Sequence, residues 1–434
     1  MADPTPRASL HTLGCRLNES ETALLTDQLR NQGYRVVEFG QPCDLAILNT
    51  CSVTENAEAE CRYLVRKLRR ASPSAFVAVT GCYAQTGMGV LQRIEGIDLI
   101  VGTQHKMDLP RFLTSLERRP EPDVLHTRTI ARDDFTLEGI GEYEETRANL
   151  KVQDGCNFMC SFCIIPFSRG HERSRHLEDL VREAEGLAAR GHQEIVITGV
   201  NIGRYNQGGH SLMDVIRSLE QVTGLARVRI SSIEPTTVSD ELLERMAGGS
   251  KVCPYLHVPL QSGDDAILKA MNRRYSAQEY TTFIDQAVKR VPKLGLGTDV
   301  MVGFPGETDE AFERTRSLLV DLPFAYFHVF SYSPRPGTAS LKLPGTVPVD
   351  TIKSRSHVLS SLSRGKRLDF YLRHVGQTVS VLFESRNKHG LFTGLTPDYM
   401  RVGISTDQDL TNQIRPVEVH GVMDGLALGA LVDL

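Results

Sequence analysis

The stretch Val152-Gln153-Asp154-Gly155-Cys156-Asn157-Phe158-Met159-Cys160-Ser161-Phe162-Cys163-Ile164-Ile165-Pro166-Phe167-Ser168-Arg169-Gly170 decides how the rest of the chain is read. It sets three cysteines as Cys-x3-Cys-x2-Cys directly after an apolar run over 149–152. Their polar neighbours (Asp154, Asn157, Ser161) and tight clustering separate them from ordinary core cysteines. A zinc site needs a fourth ligand, and His171, eight residues on, is ill-matched to the usual spacings. An iron–sulfur cubane normally takes four thiolates, so three leave one iron open to a substrate or cofactor.

Outward from this motif, strand-like runs recur at 149–152, 194–198, 227–231, 255–259, 296–301 and 325–330. The first five lead into helical patterns such as 177–190, 211–222, 238–247 and 308–320. Six βα units predict a partial barrel, with its chemistry at the C-terminal ends of the strands. Those ends carry Gly199-Val200-Asn201, Ser231-Ser232-Ile233-Glu234-Pro235, Pro259-Leu260-Gln261-Ser262-Gly263 and Gly303-Phe304-Pro305-Gly306-Glu307. The cysteine spacing with its flanks resembles the radical S-adenosylmethionine enzymes. The resemblance implies a [4Fe-4S] cluster on Cys156, Cys160 and Cys163 whose open iron chelates S-adenosylmethionine, and reductive cleavage to a 5′-deoxyadenosyl radical. It also implies cofactor contacts from Phe162, Gly199, Asn201, Ser232, Glu234, Gln261 and Gly303, with Phe162 beside the adenine.

Before the barrel lies a second α/β segment. Leu10–Leu13, Leu45–Leu48 and Phe76–Val79 read as buried parallel strands, with helices at 20–31 and 55–70 between them. Each strand runs into a cysteine: Leu13-Gly14-Cys15, Leu48-Asn49-Thr50-Cys51 and Val79-Thr80-Gly81-Cys82. In a parallel sheet these positions share one edge, where open α/β sheets bind ligands. Thr12-Leu13-Gly14-Cys15-Arg16-Leu17-Asn18, Asn49-Thr50-Cys51-Ser52-Val53 and Thr80-Gly81-Cys82-Tyr83-Ala84-Gln85 resemble the amino-terminal domain of the methylthiotransferases. By that resemblance Cys15, Cys51 and Cys82 bind a second [4Fe-4S] cluster that carries the sulfur. Cys43, Cys61 and Cys253 remain over and read as structural.

The expected organisation is 7–118 for the amino-terminal domain, 119–147 for a polar linker, 148–370 for the radical domain and 371–434 for a small all-β barrel. The last resembles a TRAM domain through Gly376-x4-Val381-Leu382-Phe383-Glu384 and Gly394-Leu395-Thr396-Pro397-Asp398-Tyr399. The 434 residues carry 49 Lys+Arg against 53 Asp+Glu, so any nucleic-acid face must come from local clusters. Residues 62–70 hold five basic and no acidic residues, and 352–374 hold six against Asp369. Arg169, Arg173 and Arg175 follow the cysteine motif and are expected to contact substrate RNA phosphate. The tail, with five Lys/Arg and seven Asp/Glu over 371–434, does not announce RNA binding by charge.

No run of eighteen apolar residues is present, and Met1-Ala2-Asp3-Pro4-Thr5-Pro6 has no apolar run before a cleavage site. The expectation is a cytoplasmic, monomeric protein without a membrane partner. The resemblance implies a transferase that uses two molecules of S-adenosylmethionine to convert C2–H of a hypermodified adenosine in a tRNA anticodon stem-loop into C–S–CH3. An electron donor such as flavodoxin or ferredoxin belongs with that reading. Arg16, Leu17 and Asp154 look most like the MtaB type, which acts on N6-threonylcarbamoyladenosine at position 37. The isopentenyladenosine type usually has Phe-Gly-Cys-Gln-Met-Asn and Glu-Gly-Cys, and the type acting on a ribosomal-protein aspartate has Gly-Cys-Pro-Lys-Asn. A different class, a non-catalytic RNA-binding metalloprotein, predicts closed four-ligand sites, against which two sets of three cysteines count.

Overall fold

The computed structural model describes residues 5–52, 55–143 and 145–432, with side chains left aside at 55–58. Val53 of the second cysteine motif, Glu144 of the expected linker, residues 1–4 and residues 433–434 lie outside the described residues.

Three strands, β1 (Arg7–Thr12), β3 (Leu45–Thr50) and β4 (Phe76–Gly81), form the centre of the first sheet, where two of them are buried at every position. Such runs suit strands covered on both faces by helices, here α1 (Arg16–Asn31) and α2 (Glu55–Ala71) among others. With β2 (Arg35–Val37), β5 (Leu99–Val101) and β6 (Asp123–Leu125) the sheet is wholly parallel, in the order β2-β1-β3-β4-β5-β6. The order reverses between β1 and β3, and the crevice at their carboxyl ends is where such sheets take ligands.

The expected linker over 119–147 needs correction at its start, because β6 adds a sixth strand to this sheet. The remainder is packed rather than free. Ile130 and Leu137 are buried, the Leu137 amide donates to Asp179, and Phe135 bridges Arg175. Asp123-Val124-Leu125 is too short a run to stand out from the surrounding charges.

The barrel strands are β7 (Arg147–Lys151), β8 (Glu194–Thr198), β9 (Arg227–Ile230), β10 (Tyr255–His257), β11 (Gly295–Val302) and β12 (Tyr326–Ser331). They form two parallel three-stranded sheets, joined by single bridges Val228↔Val252 and Ser232↔His257 into an open six-stranded barrel. Helices α3 (Leu177–Ala189), α4 (Leu212–Gln221), α5 (Asp240–Ala247), α6 (Ala277–Arg290) and α7 (Asp309–Asp321) cover it. Ser211 with Asp214 and Ser276 with Glu279 start α4 and α6 as capping boxes, satisfying amides that the first turn leaves free.

Alternation along the strands separates two faces. Leu150, Ile195, Ile197, Val228, Ile230, Leu256, Val258, Leu296, Val300 and Phe327 pack into the core under the helices. The alternate positions include Lys151, Glu194, Arg227, Arg229, Tyr255, His257, Asp299, Tyr326 and His328. A barrel filled only for stability would carry layers of branched aliphatics there. This interior is built for polar contacts.

Helix α8 (Val349–Leu372) leads into a closed five-stranded barrel of β13 (Thr378–Arg386), β14 (Phe392–Leu395), β15 (Arg401–Ile404), β16 (Ile414–Met423) and β17 (Leu426–Leu431). Its Leu395–Tyr399 corner closes the amino-terminal end of the larger barrel. Arg227 donates to the Leu395 carbonyl at 2.9 Å, and Arg229 donates to those of Pro397 and Thr396 at 2.8 and 3.0 Å.

Candidate functional site

Two cysteine sets stand at the ends of strands in different domains. Cys15, Cys51 and Cys82 follow β1, β3 and β4, which register side by side. Two glycines allow the strand ends to close up. Gly14 has φ +103°, and a Cβ there would lie 2.7 Å from Cys51 Cβ and 2.9 Å from its Sγ. Gly81 has φ +100°, and a Cβ there would lie 2.3 Å from the Thr50 carbonyl oxygen. Both combine a left-handed backbone with the absence of a side chain, which only glycine offers at low cost. Cys51 and Cys82 are buried and Cys15 is exposed, leaving one side of the set open.

The other set lies in the loop after β7. The Cys156 amide donates to the Gly170 carbonyl at 3.1 Å and the Cys163 amide to that of Cys160 at 3.0 Å. The segment 270–273 holds the loop from outside. Ser161 donates through its amide to Met271 and through its hydroxyl to Ala270, and Asn272 donates to the Met159 carbonyl at 2.9 Å. The sulfurs also collect donors, from the Phe158 amide to Cys156 at 3.4 Å and from Arg273 Nη1 to Cys160 at 3.5 Å. Burial pushes the Cys163 thiol up to about 12 and raises that of Cys156. Thiols become thiolates when a bound metal supplies the compensating charge. His171 does not complete a zinc site, since its ring nitrogens meet Asn157 at 2.7 Å and Arg132 at 2.9 Å.

Between the two sets runs a web of buried charge. Glu21, on α1, pairs with Lys106 at 2.5 Å, Lys151 at 2.6 Å and Arg169 at 2.9 Å. Asp154, two residues before the first barrel cysteine, pairs with Lys151 at 2.7 Å and Arg169 at 3.0 Å. Burial alone would raise both carboxyls, but the surrounding cations outweigh it and hold each below its ordinary value. Asn18 completes the tie. Its amide nitrogen donates to the Leu13 and Thr50 carbonyls beside the first cysteine set, and its oxygen accepts from Arg169 at 2.6 Å.

This web corrects the expectation that Arg169 and Arg175 contact RNA. Arg169 is 1% and Arg175 0% exposed, and Arg175 is committed to Asp179 and Glu183. An arginine sealed under a loop with its guanidinium paired cannot reach a phosphate. Arg173 lies partly at the surface, 3.4 Å from Asp154 and over the Phe135 ring.

The expected cofactor residues surround the barrel loop. Phe162 meets Phe304 edge to face at 6.4 Å in an apolar cluster with Met301 and Tyr332. Gly199 and Asn201 lie in the turn after β8, where Gln153 accepts from the Val200 and Asn201 amides at 3.0 and 2.8 Å. Glu234 pairs with Arg273 at 2.5 Å; burial raises its carboxyl and Arg273 acts against that shift. Ser232 bridges His257, Gln261 bridges Val300 with φ +65°, and the Gly303 amide donates to Glu307 at 2.8 Å. Asn201 is 3% exposed; its amide is directed at Cys156, whose thiol it acts to lower against burial, and its side-chain oxygen has no hydrogen-bond partner among the described residues. A buried carbonyl left so, beside the cysteine loop, is one that a polar ligand can satisfy. Gln153, Arg273, Asn18 and Glu21 were not singled out from sequence. Gln153 and Asn18 lie in quoted motifs, whereas Arg273 lies outside them and Glu21 carries no signal apart from helical position.

Elsewhere, Arg62, Arg66 and Arg70 line a groove of about 800 Å³ with Arg93 and Arg118, while Arg69 is taken by Asp98. In the run 352–374, Arg355 is buried against Glu307 and Asp309. Cys43, Cys61 and Cys253 are buried in packed surroundings. No helix among the described residues is long and apolar enough to cross a membrane.

Comparison with known proteins agrees with this layout. The family model described as Radical SAM superfamily matches residues 150–319, and that of an uncharacterized protein family, UPF0004, matches 7–102. The chain is 33% identical over 420 residues to the threonylcarbamoyladenosine tRNA methylthiotransferase MtaB of Bacillus subtilis, covering 95% of this chain and 93% of that one. It is 35% identical over 384 residues to the protein of the same name from Aquifex aeolicus, covering 88% and 94%. A tRNA-2-methylthio-N(6)-dimethylallyladenosine synthase of Syntrophobacter fumaroxidans is 34% identical over 431 residues, covering 96% and 94%. Among solved structures, the radical S-adenosylmethionine methyltransferase TsrM of Kitasatospora setae shares the fold, with a TM-score of 0.56 at 15% identity over 75% of this chain and 73% of that one.

Proposed function

The chain belongs to the tRNA methylthiotransferases of the radical S-adenosylmethionine superfamily, and from that premise we propose that its substrate is N6-threonylcarbamoyladenosine next to the anticodon, methylthiolated at C2. The proposed ligands are Cys156, Cys160 and Cys163 for the radical cluster and Cys15, Cys51 and Cys82 for a second. When bound, the first cluster with S-adenosylmethionine supplies hydrogen-abstracting radical chemistry, and the second supplies the sulfur.

The chain's own residues hold, orient and seal. Arg273 and the Phe158 amide direct N–H groups at Cys160 and Cys156, the kind of bond that tunes a cluster ligand. Asn201 offers a carbonyl to a polar cofactor, and Phe162 offers an aromatic face. Asn18, Glu21 and Arg169 hold the two cysteine sets at one separation. That buried tie is the observation that carries the reading, since sulfur insertion requires two centres in near-attack geometry around one base.

The substrate assignment is supported by the relatives named for it, which cover nearly the whole chain. The reading carries with it a cytoplasmic site of action, a flavodoxin or ferredoxin as electron donor and a monomeric enzyme. Mass spectrometry of nucleosides from bulk tRNA, with and without this gene, tests it. Selective loss of 2-methylthio-N6-threonylcarbamoyladenosine with build-up of its unthiolated precursor is expected. Loss of the methylthio-isopentenyl nucleoside instead would overturn the substrate and leave the reaction.

A further inference from the structure

Resting on the threonylcarbamoyladenosine reading, we propose that Arg16, Arg367 and Asp299 form the subsite that recognises the threonylcarbamoyl arm. The two guanidiniums take its carboxylate, and Asp299 accepts its ureido N–H.

The subsite is assembled from four parts of the chain. On neighbouring strands, His257 Nε2 lies 2.9 Å from Asp299 Oδ1, and Asp299 registers with His328. The other His257 nitrogen lies 3.4 and 3.5 Å from the hydroxyls of Tyr326 and Tyr255, which are 2.5 Å apart. Gly297 keeps this space open, since a Cβ there would be 2.7 Å from His257 Nδ1. From the small barrel, Tyr399 stacks on Tyr255 with ring centres 4.5 Å apart. From the first domain, Arg16 Nη2 donates to the Tyr399 hydroxyl at 2.8 Å. From α8, Arg367 lies 5.3 Å over the Tyr326 ring. A cavity of about 210 Å³ opens among Tyr326, His328, Arg367 and Tyr399.

The charges select the ligand. Nearby Arg147, Arg229 and Arg169 are committed to Glu384, Glu194 and Glu21. Arg16 and Arg367 make no ion pair within 4.0 Å among the described residues; Arg16 meets a phenol, with the Glu19 carboxylate close enough to feel its charge, and Arg367 meets an aromatic face. Burial would raise the Tyr399 phenol, yet Arg16, Arg147 and Arg229 together hold it below its ordinary value, which marks the field as positive. Half-buried guanidiniums in such a field suit a carboxylate. His257 covers one oxygen of Asp299 and leaves the other to accept an N–H.

Arg16 also lies in the right place. It directly follows Cys15, with Cα atoms about 3.8 Å apart across the trans peptide, so the subsite begins one residue from the proposed sulfur-carrying centre. A threonylcarbamoyl arm offers the carboxylate and N–H groups that this wall complements. An isopentenyl arm offers neither and would leave the wall's polar groups desolvated and unpaired.

The test uses the holoenzyme and synthetic anticodon stem-loops carrying N6-threonylcarbamoyladenosine, its methyl ester or N6-isopentenyladenosine, with binding read by anaerobic fluorescence anisotropy. The wild type is expected to favour the acid over the ester on the order of ten- to a hundredfold. R16M and R367M should shrink that ratio severalfold. The ratio is internal to each variant, and Arg367, on a helix of another domain, provides a second readout if R16M disturbs the first. Wild-type preference for the isopentenyl RNA would overturn the substrate reading and the subsite together. Preference for the acid that survives both substitutions would overturn the subsite alone. The ligating atoms of His257, Asp299 and His328 lie within 4.8 Å of one another, so a divalent metal is the rival occupant. One zinc per chain, lost in D299N and H328A while the acid-to-ester ratio is unchanged, would overturn the subsite in favour of a metal centre.

Discussion

Glu21→Gln is the substitution that most directly tests how the two cysteine-bearing domains are held. The side chain keeps its volume and loses its charge. In the native protein three buried cations, Lys106, Lys151 and Arg169, share Glu21 and Asp154. Without Glu21, Asp154 still serves Lys151 and Arg169, but Lys106, 1% exposed, loses its ion-pair partner. Removing one member of a buried pair costs about 3–5 kcal/mol, because the other charge is left desolvated. For domains of this size that is roughly 6–20 °C in the first unfolding transition. Scanning calorimetry would read it, with limited proteolysis of 126–146 reporting whether the domains part. E21Q/K106M, which also removes the stranded cation, should recover at least about half of the loss. An E21Q protein within about 1 kcal/mol of wild type would refute the reasoning, as would a double variant weaker than E21Q. The pH dependence has a fixed sign. Both carboxyls are held below their ordinary values, so their stabilisation is complete above about pH 5 and is lost as pH falls through the ordinary and then the depressed values. The junction should therefore hold through mildly acidic conditions and open only in stronger acid.

Three further substitutions separate other parts of the argument. Asn201→Ala should leave the ligand-free protein close to wild-type stability, because it removes an unpartnered carbonyl together with the amide directed at Cys156, while weakening S-adenosylmethionine binding roughly tenfold; calorimetry showing the reverse pattern would contradict its role. Gly14→Ala places a methyl 2.7 Å from Cys51 Cβ on a left-handed backbone, so reconstituted iron should fall from about eight to about four per chain while the barrel cluster's spectrum persists. His374 Nε2 donates to the Asp398 carboxylate at 2.8 Å, and Asp398 outweighs burial to raise the imidazole above its ordinary value. A raised histidine stabilises below about pH 6.5 and loses that contribution as pH rises through its folded value, so the exchange protection factors at 378–382, taken relative to the intrinsic rate at each pH, should fall with pH in wild type and lose that fall in H374Q.

Much of the site was legible because its chemistry is local in sequence. Cysteines 156, 160 and 163 lie in eight residues, and the strand-then-cysteine pattern at 15, 51 and 82 predicts convergence once the strands are parallel. The barrel was legible for a related reason, since each strand is followed closely by its helix. What escaped depends on pairing across long separations. Glu21 meets Arg169 across 148 residues and Arg16 meets Tyr399 across 383, and no spacing rule reaches that far. Strand β6 was hidden by brevity. The polar barrel interior was present as alternation, as in Arg227-Val228-Arg229-Ile230, but that pattern reads equally as a strand with one wet face.

The arginines explain why counting charge misplaced the RNA contacts. Arg169 and Arg175 follow the cysteine motif and look like a phosphate clamp, yet both end sealed against carboxylates. A seam of aliphatic side chains would often be at least as stable as one of buried ion pairs. It would also tolerate sliding, because apolar contact is non-directional. Arg169 holds Glu21 through both of its terminal nitrogens and Asn18 through one of them, and Asn18 holds the backbones beside Cys15 and Cys51. A shift of one domain against the other breaks these bonds together and strands charge. Such a seam defines a separation, and two cysteine sets serving one reacting carbon need a defined separation more than they need extra stability. The positive charge that sequence counting assigns to the substrate is thus partly used to fix the frame, while Arg62, Arg66, Arg70 and Arg93 line a separate groove on α2 and its neighbours.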